Sequence, residues 1–217
     1  MSDANKGWNE RCELQRRITG YRSCAELFSI QKNVDRMAED LIKGTIDRVS
    51  DQLACLDFPA GSTVLDIGAG PGTLAVPLAQ RGCRVTVVEP SHPMTVSMEK
   101  YRARLGVSGR IAVVPQLWED VDVNSIGRFD YVISSFAIAV PDLRDALLKM
   151  NAVANKQVHI FWFLNASPWA RVMMDLWKPL HNEEYIGRPY ADLIWNALYQ
   201  AGIMADLSVY PLKDSRT

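Results

Sequence analysis

The sequence predicts an α/β fold, a doubly wound, mostly parallel sheet with helices on both faces and a helical segment ahead of it. Three observations predict this. Thr63–Ile67 is a short β-branched apolar run; glycines follow at 68, 70 and 72, then an apolar helical pattern through Leu74, Val76, Leu78 and Ala79. A strand, glycine turn and helix in that order build a ligand crevice beyond the carboxyl ends of an open parallel sheet. A second strand, Arg84–Val88, ends at Glu89, about twenty residues beyond the glycine turn. Further β-rich runs, at residues 111–115, 129–136 and 158–164, stand between helical patterns.

Composition bounds the answer. The 217 residues are 48% hydrophobic with a formal net charge of −1, and the mean hydropathy is −0.07. That size fits one domain with an appendage, residues 1–59 forming an N-terminal segment and residues 60–217 one compact unit. The charge balance provides no general attraction to nucleic acid. The first seventeen residues are polar and charged, without the apolar core of a signal peptide. No apolar run reaches the roughly 18 residues of a membrane span. A cytoplasmic protein without a membrane partner is expected. Cys12, Cys24, Cys55 and Cys83 are scattered with no C-x-x-C, which reads as reduced thiols and no metal site.

The elements follow in order. Residues 8–18 suit a short charged helix, and residues 21–30 are ambiguous. From Val34 the apolar residues Met37, Ala38, Leu41, Ile42, Ile46, Val49 and Leu53 recur at three- and four-residue steps. They predict one long helix with a core-facing stripe, capped by Asn33 and ended by the Phe-Pro-Ala-Gly at 58–61. Trp8 and Tyr21 are read two ways, as core or as lining of a ligand pocket. Gly68, Gly70 and Gly72 let the chain turn sharply and let a ligand approach the backbone. The helix start beyond them offers free N–H groups and a positive dipole end. Glu89, placed after the second strand, suits two adjacent ribose hydroxyls, because one ionised carboxylate accepts from both. Pro90 and Ser91 open the next helix, residues 94–105. Its basic residues Lys100, Arg102 and Arg104, with Arg110 beyond, read as a solvated face rather than a phosphate or RNA patch.

The glycine spacing decides between cofactors. A dinucleotide fingerprint wants G-x-G-x-x-G, but here that third position is Thr73 and the third glycine comes one residue early. Asp66 before the turn is a second departure. The pattern D-x-G-x-G-x-G resembles the first motif of class I, Rossmann-like S-adenosylmethionine (SAM)-dependent methyltransferases, with Glu89 in register. The resemblance covers residues 61–164 and, more loosely, 205–212. It implies a small-molecule type of enzyme with SAM as cofactor and S-adenosylhomocysteine (SAH) as product. It further implies that residues 1–59 cap the cofactor crevice. Asp66 would orient the loop and reach toward the cofactor's amino group. Gly68, Ala69, Gly70 and Gly72 would lie against the methionine and ribose portions, and Glu89, Pro90 and Ser91 would hold the ribose side. An acid that often meets adenine in this family falls in register with Leu117, so Trp118 stacking on adenine, or Glu119, is expected in its place. Ser135 and Phe136 would line the methyl-transfer end.

The fourth run, residues 129–136, ends in Ser-Ser-Phe-Ala where nucleic-acid and protein amide methylases of this family often carry [DNS]-P-P-[YFW]. That argues against methylation of adenine N6 or a glutamine amide. Asn155, Lys156 and Gln157 stand where a Pro-Gly-Gly turn is common. His159 in the fifth strand reads as a hydrogen-bonded core residue. Helices are expected at residues 169–180 and 190–201, the second ended by Gly202. Between them His181, Glu184 and, from the N-terminal segment, Tyr21 are catalytic candidates without assigned roles. Residues 205–212 predict a sixth strand, and no seventh antiparallel strand follows. The open edge invites pairing, so a homodimer is one expectation. The function expected is methyl transfer to a small-molecule acceptor by in-line displacement. The alternatives are a non-catalytic SAM-binding or partner subunit, an RNA or protein methyltransferase, and a nicotinamide-dependent oxidoreductase.

Overall fold

The computed structural model describes residues 3–20, 28, 30–44 and 48–211. Tyr21, Cys24 and Ile46 lie outside the described residues. Five strands form one sheet in the order β3-β2-β1-β4-β5: β1 Thr63–Ile67, β2 Arg84–Val88, β3 Ile111–Val114, β4 Phe129–Ser135 and β5 Ala154–Phe161. All four pairings are parallel. The strand order reverses between β2-β1 and β4, which opens a crevice at their carboxyl ends.

Alternation along the strands sorts the core into two layers. Leu65, Ile67, Val88 and Val132 face one side, where they pack with Trp8 and Ile194. The helices there are α1 (Ala4–Thr19), α7 (Leu143–Val153) and α9 (Ala191–Gln200). Val64, Val85, Val87, Ile111 and Ile133 face the other side with Leu74, Leu78 and Met98. That layer holds α4 (Ala75–Gln80) and α5 (His92–Arg104). Near the amino end of the sheet, Asp130 accepts from the Thr63 N–H at 2.9 Å and its hydroxyl at 3.1 Å. Together with Lys156 these bonds hold the Asp130 carboxyl down at about 2.

The first helix meets its expectation, starting on Asp3, whose side chain accepts from Asn5 and Lys6 N–H. Trp8 is fully buried and its indole N–H donates to Val140 O at 3.2 Å, so it belongs to the core. The single long helix expected from Val34 is instead two helices, α2 (Gln31–Lys43) and α3 (Arg48–Cys55). The first begins after Ile30, not at Asn33, and ends at Gly44, which takes a left-handed conformation with φ 68°. Among the described residues no atom lies within 4 Å of a Cβ built there, so Gly44→Ala is expected to cost about 1 kcal/mol through backbone strain. Chemical denaturation of the variant checks that value.

Three further expectations change. The fifth strand begins at Ala154 rather than Val158, because the polar Asn155 to Gln157 stretch pairs with β4 across a register shift. It ends at Phe161, leaving residues 162–164 outside the sheet. Residues 205–211, expected as a sixth strand, are exposed and unpaired; a strand needs a neighbour to accept its N–H groups, and none lies beside them among the described residues. Among the described residues no helix is long and apolar enough to cross a membrane. The cationic face of α5 is partly structural, since Arg102 bonds Glu99 and Ile111 O.

Candidate functional site

The crevice starts from two acids that the strands carry to adjacent carboxyl ends. Asp66, near the end of β1, is 2% exposed, and Glu89, just after β2, is 7% exposed. One Glu89 carboxylate oxygen accepts from Gly70 N–H at 2.8 Å, the other from Ser91 N–H at 2.9 Å. Glu89 thereby ties the glycine turn to the start of α5. Each oxygen keeps acceptor capacity for a further donor. Pro90 lies between these anchors. Ser91 caps α5 by accepting from Met94 N–H at 3.3 Å, and its own hydroxyl donates to Phe28 O at 2.7 Å. That bond fastens the N-terminal segment to the crevice wall.

The glycine turn itself is tightly set. Gly68 N–H donates to Val88 O at 2.8 Å, and a Cβ on Gly68 would lie 2.2 Å from Ala137 Cβ. A Cβ on Gly72 would meet Val76 and Met98 at 2.7 and 2.9 Å. At Gly70 the nearest atoms, Met37 Cε and Met94 Sδ, are 3.9 Å away. Ala69 is buried in the second layer. Thr73, standing where a dinucleotide fingerprint has its third glycine, has a buried hydroxyl without a partner among the described residues.

Burial dominates the electrostatics. It raises the Asp66 carboxyl from 3.8 to about 7, the Glu89 charge adds to the rise, and the Ala75 N–H opposes it. Burial also raises Glu89, against the N–H groups of Ser91 and Gly70. Neither carboxylate has an ion-pair partner among the described residues. Two buried acids with spare acceptor capacity suit a ligand that brings a cation and hydroxyl donors. The same burial makes stability depend on pH. Between pH 3.8 and about 7 the folded chain holds a proton on Asp66 that the unfolded chain has released. Stability therefore falls as pH rises through that window, by an amount on the order of a few kcal/mol. The melting temperature of the ligand-free protein is expected to drop from pH 5 to pH 8, and Asp66→Asn is expected to flatten the drop. An equally steep profile in the variant would refute this origin.

The third wall is the end of β4. Ser134 is 1% exposed, and its hydroxyl oxygen has no partner among the described residues. Ser135 Oγ accepts from Gln52 Nε2 at 2.8 Å. Phe136 turns the chain with φ 56°, a left-handed conformation rare for a large side chain, and its N–H donates to Phe161 O at 3.0 Å. Such strain persists where the surroundings over-determine it, often at ligand sites.

Sequence-expected residues separate here. Asp66, the glycine turn, Glu89, Pro90 and Ser91 gather in one crevice, with Ser135 and Phe136 ending the neighbouring strand. Leu117 is 37% exposed, whereas Trp118 is 4% exposed. The Trp118 indole N–H donates to Ala146 O at 3.2 Å, and Lys149 lies over the ring. The ring expected to stack on adenine is thus packed against α7, because its amphipathic indole finds both an apolar layer and a carbonyl there; Leu117 is the apolar side chain left on the surface. Helix α8 spans Pro168–His181. His181 stacks on the half-buried Trp177 at 4.1 Å and Glu184 pairs with Lys178; His181, Glu184 and Lys178 are exposed. His159 packs beside Phe58 at 5.4 Å; burial lowers its pKa, and its Nε2 has no partner among the described residues, unlike the hydrogen-bonded residue expected. Arg48 and Gln52 were missed by sequence reasoning. Their signal is two polar residues four apart on a helix otherwise judged by its apolar stripe.

Comparison with known proteins agrees with this geometry. A family described as "Methyltransferase domain" matches residues 64–157. An uncharacterized protein of Haemophilus influenzae is 31% identical over 179 residues, covering 82% of this chain; the chain spans 64% of that relative's length. The magnesium-protoporphyrin O-methyltransferase of Rhodobacter capsulatus is 24% identical, with 78% of this chain and 76% of that protein aligned. The structure of magnesium protoporphyrin IX methyltransferase from Synechocystis PCC 6803 with bound SAH superposes with a TM-score of 0.56 at 20% identity. That superposition covers 91% of this chain and 84% of the other.

Proposed function

We infer, from a chain whose residues 64–157 match a family described as "Methyltransferase domain", that it is a class I, SAM-dependent enzyme that transfers the SAM methyl group to a small-molecule acceptor and releases SAH. The observation that carries this reading is the pair of buried acids, Asp66 and Glu89, framing a glycine turn. SAM, when bound, supplies an electrophilic methyl on a sulfonium. Glu89 accepts from the ribose hydroxyls while its bonds to Gly70 and Ser91 hold the turn in place. Asp66 faces the cationic amino group, directly or through water, and that cation favours its ionised form over the protonated one. The backbone at Gly68 to Gly72 lies against the ligand, and Leu117 borders the adenine side. Ser135 and Phe136 line the end where the acceptor meets the methyl group. Residues 1–59 act as a cap, a role supported by the Gln52–Ser135 and Ser91–Phe28 bonds. Most of the rate enhancement then comes from holding two reactants in line and excluding water. A base is required only for an acceptor that arrives protonated. The likeness to the Rhodobacter magnesium-protoporphyrin O-methyltransferase supports a small molecule as acceptor.

Calorimetric titration of the purified chain with SAM and SAH tests this reading. Saturable binding of both in the micromolar range is expected, and absence of binding by the folded protein would sink the proposal.

A further inference from the structure

Two guanidinium groups flank the carboxyl ends of β4 and β5 without acid partners among the described residues. Arg48, on α3, lies over the Phe136 ring at 5.1 Å. Phe136 contacts Phe163 at 4.5 Å, and Arg188 lies over the Phe163 ring at 4.2 Å. The four side chains form a row, cation, ring, ring, cation, beyond the carboxyl ends of β4 and β5. Arg48 is the more enclosed of the two cations, and its Nε is buried with no hydrogen-bond partner among the described residues. Neither arginine forms an ion pair among the described residues. One turn along α3, Gln52 is 5% exposed, and its Oε1 is also buried without a partner, although its Nε2 is engaged with Ser135.

A guanidinium resting on a ring is attracted by the negative face of the ring. A carboxylate offers it a bidentate, charge-assisted pair, which is stronger and geometrically selective. Leaving a cation partly buried without a counter-charge is costly unless a ligand provides one. The two rings beneath the cations are apolar and aromatic, a chemistry that suits a planar aromatic body beside them.

We propose that this row is the acceptor subsite and that it takes a planar aromatic molecule carrying a carboxylate, with Arg48 and Arg188 as the anion-recognising groups. The proposal rests on the methyl-transfer reading and names the acceptor class for that same site. The unpartnered Gln52 Oε1 then accepts from a hydroxyl or amine donor on the acceptor. Arg48 sets specificity from the cap side, and Arg188 from the segment between α8 and α9.

The test uses the full chain saturated with SAH, and two probes, benzoate and benzamide, which share shape and differ in charge. Ligand-observed NMR titration is expected to give benzoate binding at least tenfold tighter than benzamide. Arg48→Met and Arg188→Met are each expected to weaken benzoate at least fivefold, with SAH affinity changed less than twofold. Arg188 is exposed, so its variant remains informative if Arg48→Met folds poorly. Equal binding of the two probes, no benzoate binding, or variants that leave benzoate unchanged would each overturn the proposal. SAH binding without benzoate selectivity defeats the subsite alone. If SAH fails to bind, the methyl-transfer reading fails instead, and the same charge and variant pattern is read on the ligand-free chain.

Discussion

Glu89→Ala is expected to weaken SAH binding by about 100-fold or more, since a hydrogen bond to a charged group contributes about 1.5–3 kcal/mol and this carboxylate is placed to accept more than one. Two effects add. On the proposed reading the variant loses the acceptor for the ribose hydroxyls, and it releases Gly70 N–H and Ser91 N–H, now held at 2.8 and 2.9 Å. The second effect loosens the glycine turn against which the ligand lies. Ligand-free stability should change far less. Removing a buried charge relieves Asp66, whose pKa Glu89 raises, while two orphaned N–H groups oppose that gain. Calorimetry for affinity and thermal melting without ligand separate the two contributions. An SAH affinity within threefold of the parent would remove Glu89 from the site.

Gly68→Ala is expected to destabilise the fold by about 3 kcal/mol or more, combining overpacking with left-handed strain. The new Cβ would sit 2.2 Å from Ala137 Cβ, on a backbone with φ 70°. Neither side can move aside easily. Gly68 is tied to Val88 O, and Ala137 follows Phe136, whose N–H is tied to Phe161 O. Gly70→Ala is the control, because its nearest neighbours stand at 3.9 Å, and it should cost only about 1 kcal/mol of left-handed strain. Urea denaturation of both variants checks the contrast. Equal losses at the two positions would show that close approach to the β4 turn is not what requires glycine at position 68.

Much of the sheet and half of the crevice were legible because their signals are local. A β-branched run followed by alternating glycines specifies a strand and a sharp turn from residues adjacent in the chain. Glu89 was legible by distance along that same unit. Misreadings had different causes. The stripe from Val34 to Leu53 holds helical period across Gly44, so periodicity alone merged two helices that a left-handed glycine separates. Residues 205–211 alternate like a strand, but alternation describes only a face and cannot supply a pairing partner. Trp118 lies in the expected loop, yet which way an indole turns depends on what each side offers it.

By itself, the sequence determined the strand, glycine turn and helix, the acid at the end of the second strand, and thereby the family of chemistry. Each rests on residues within a few positions of one another or on one repeating unit. Tertiary structure alone decided the proton on Asp66, which follows from complete burial beside Glu89. It alone turned Trp118 into the core, joined Gln52 to Ser135 across 83 positions of chain, and set Arg48 over Phe136. Burial, ring orientation and charge pairing are properties of contacts between distant segments, and no local pattern encodes which distant segment will arrive.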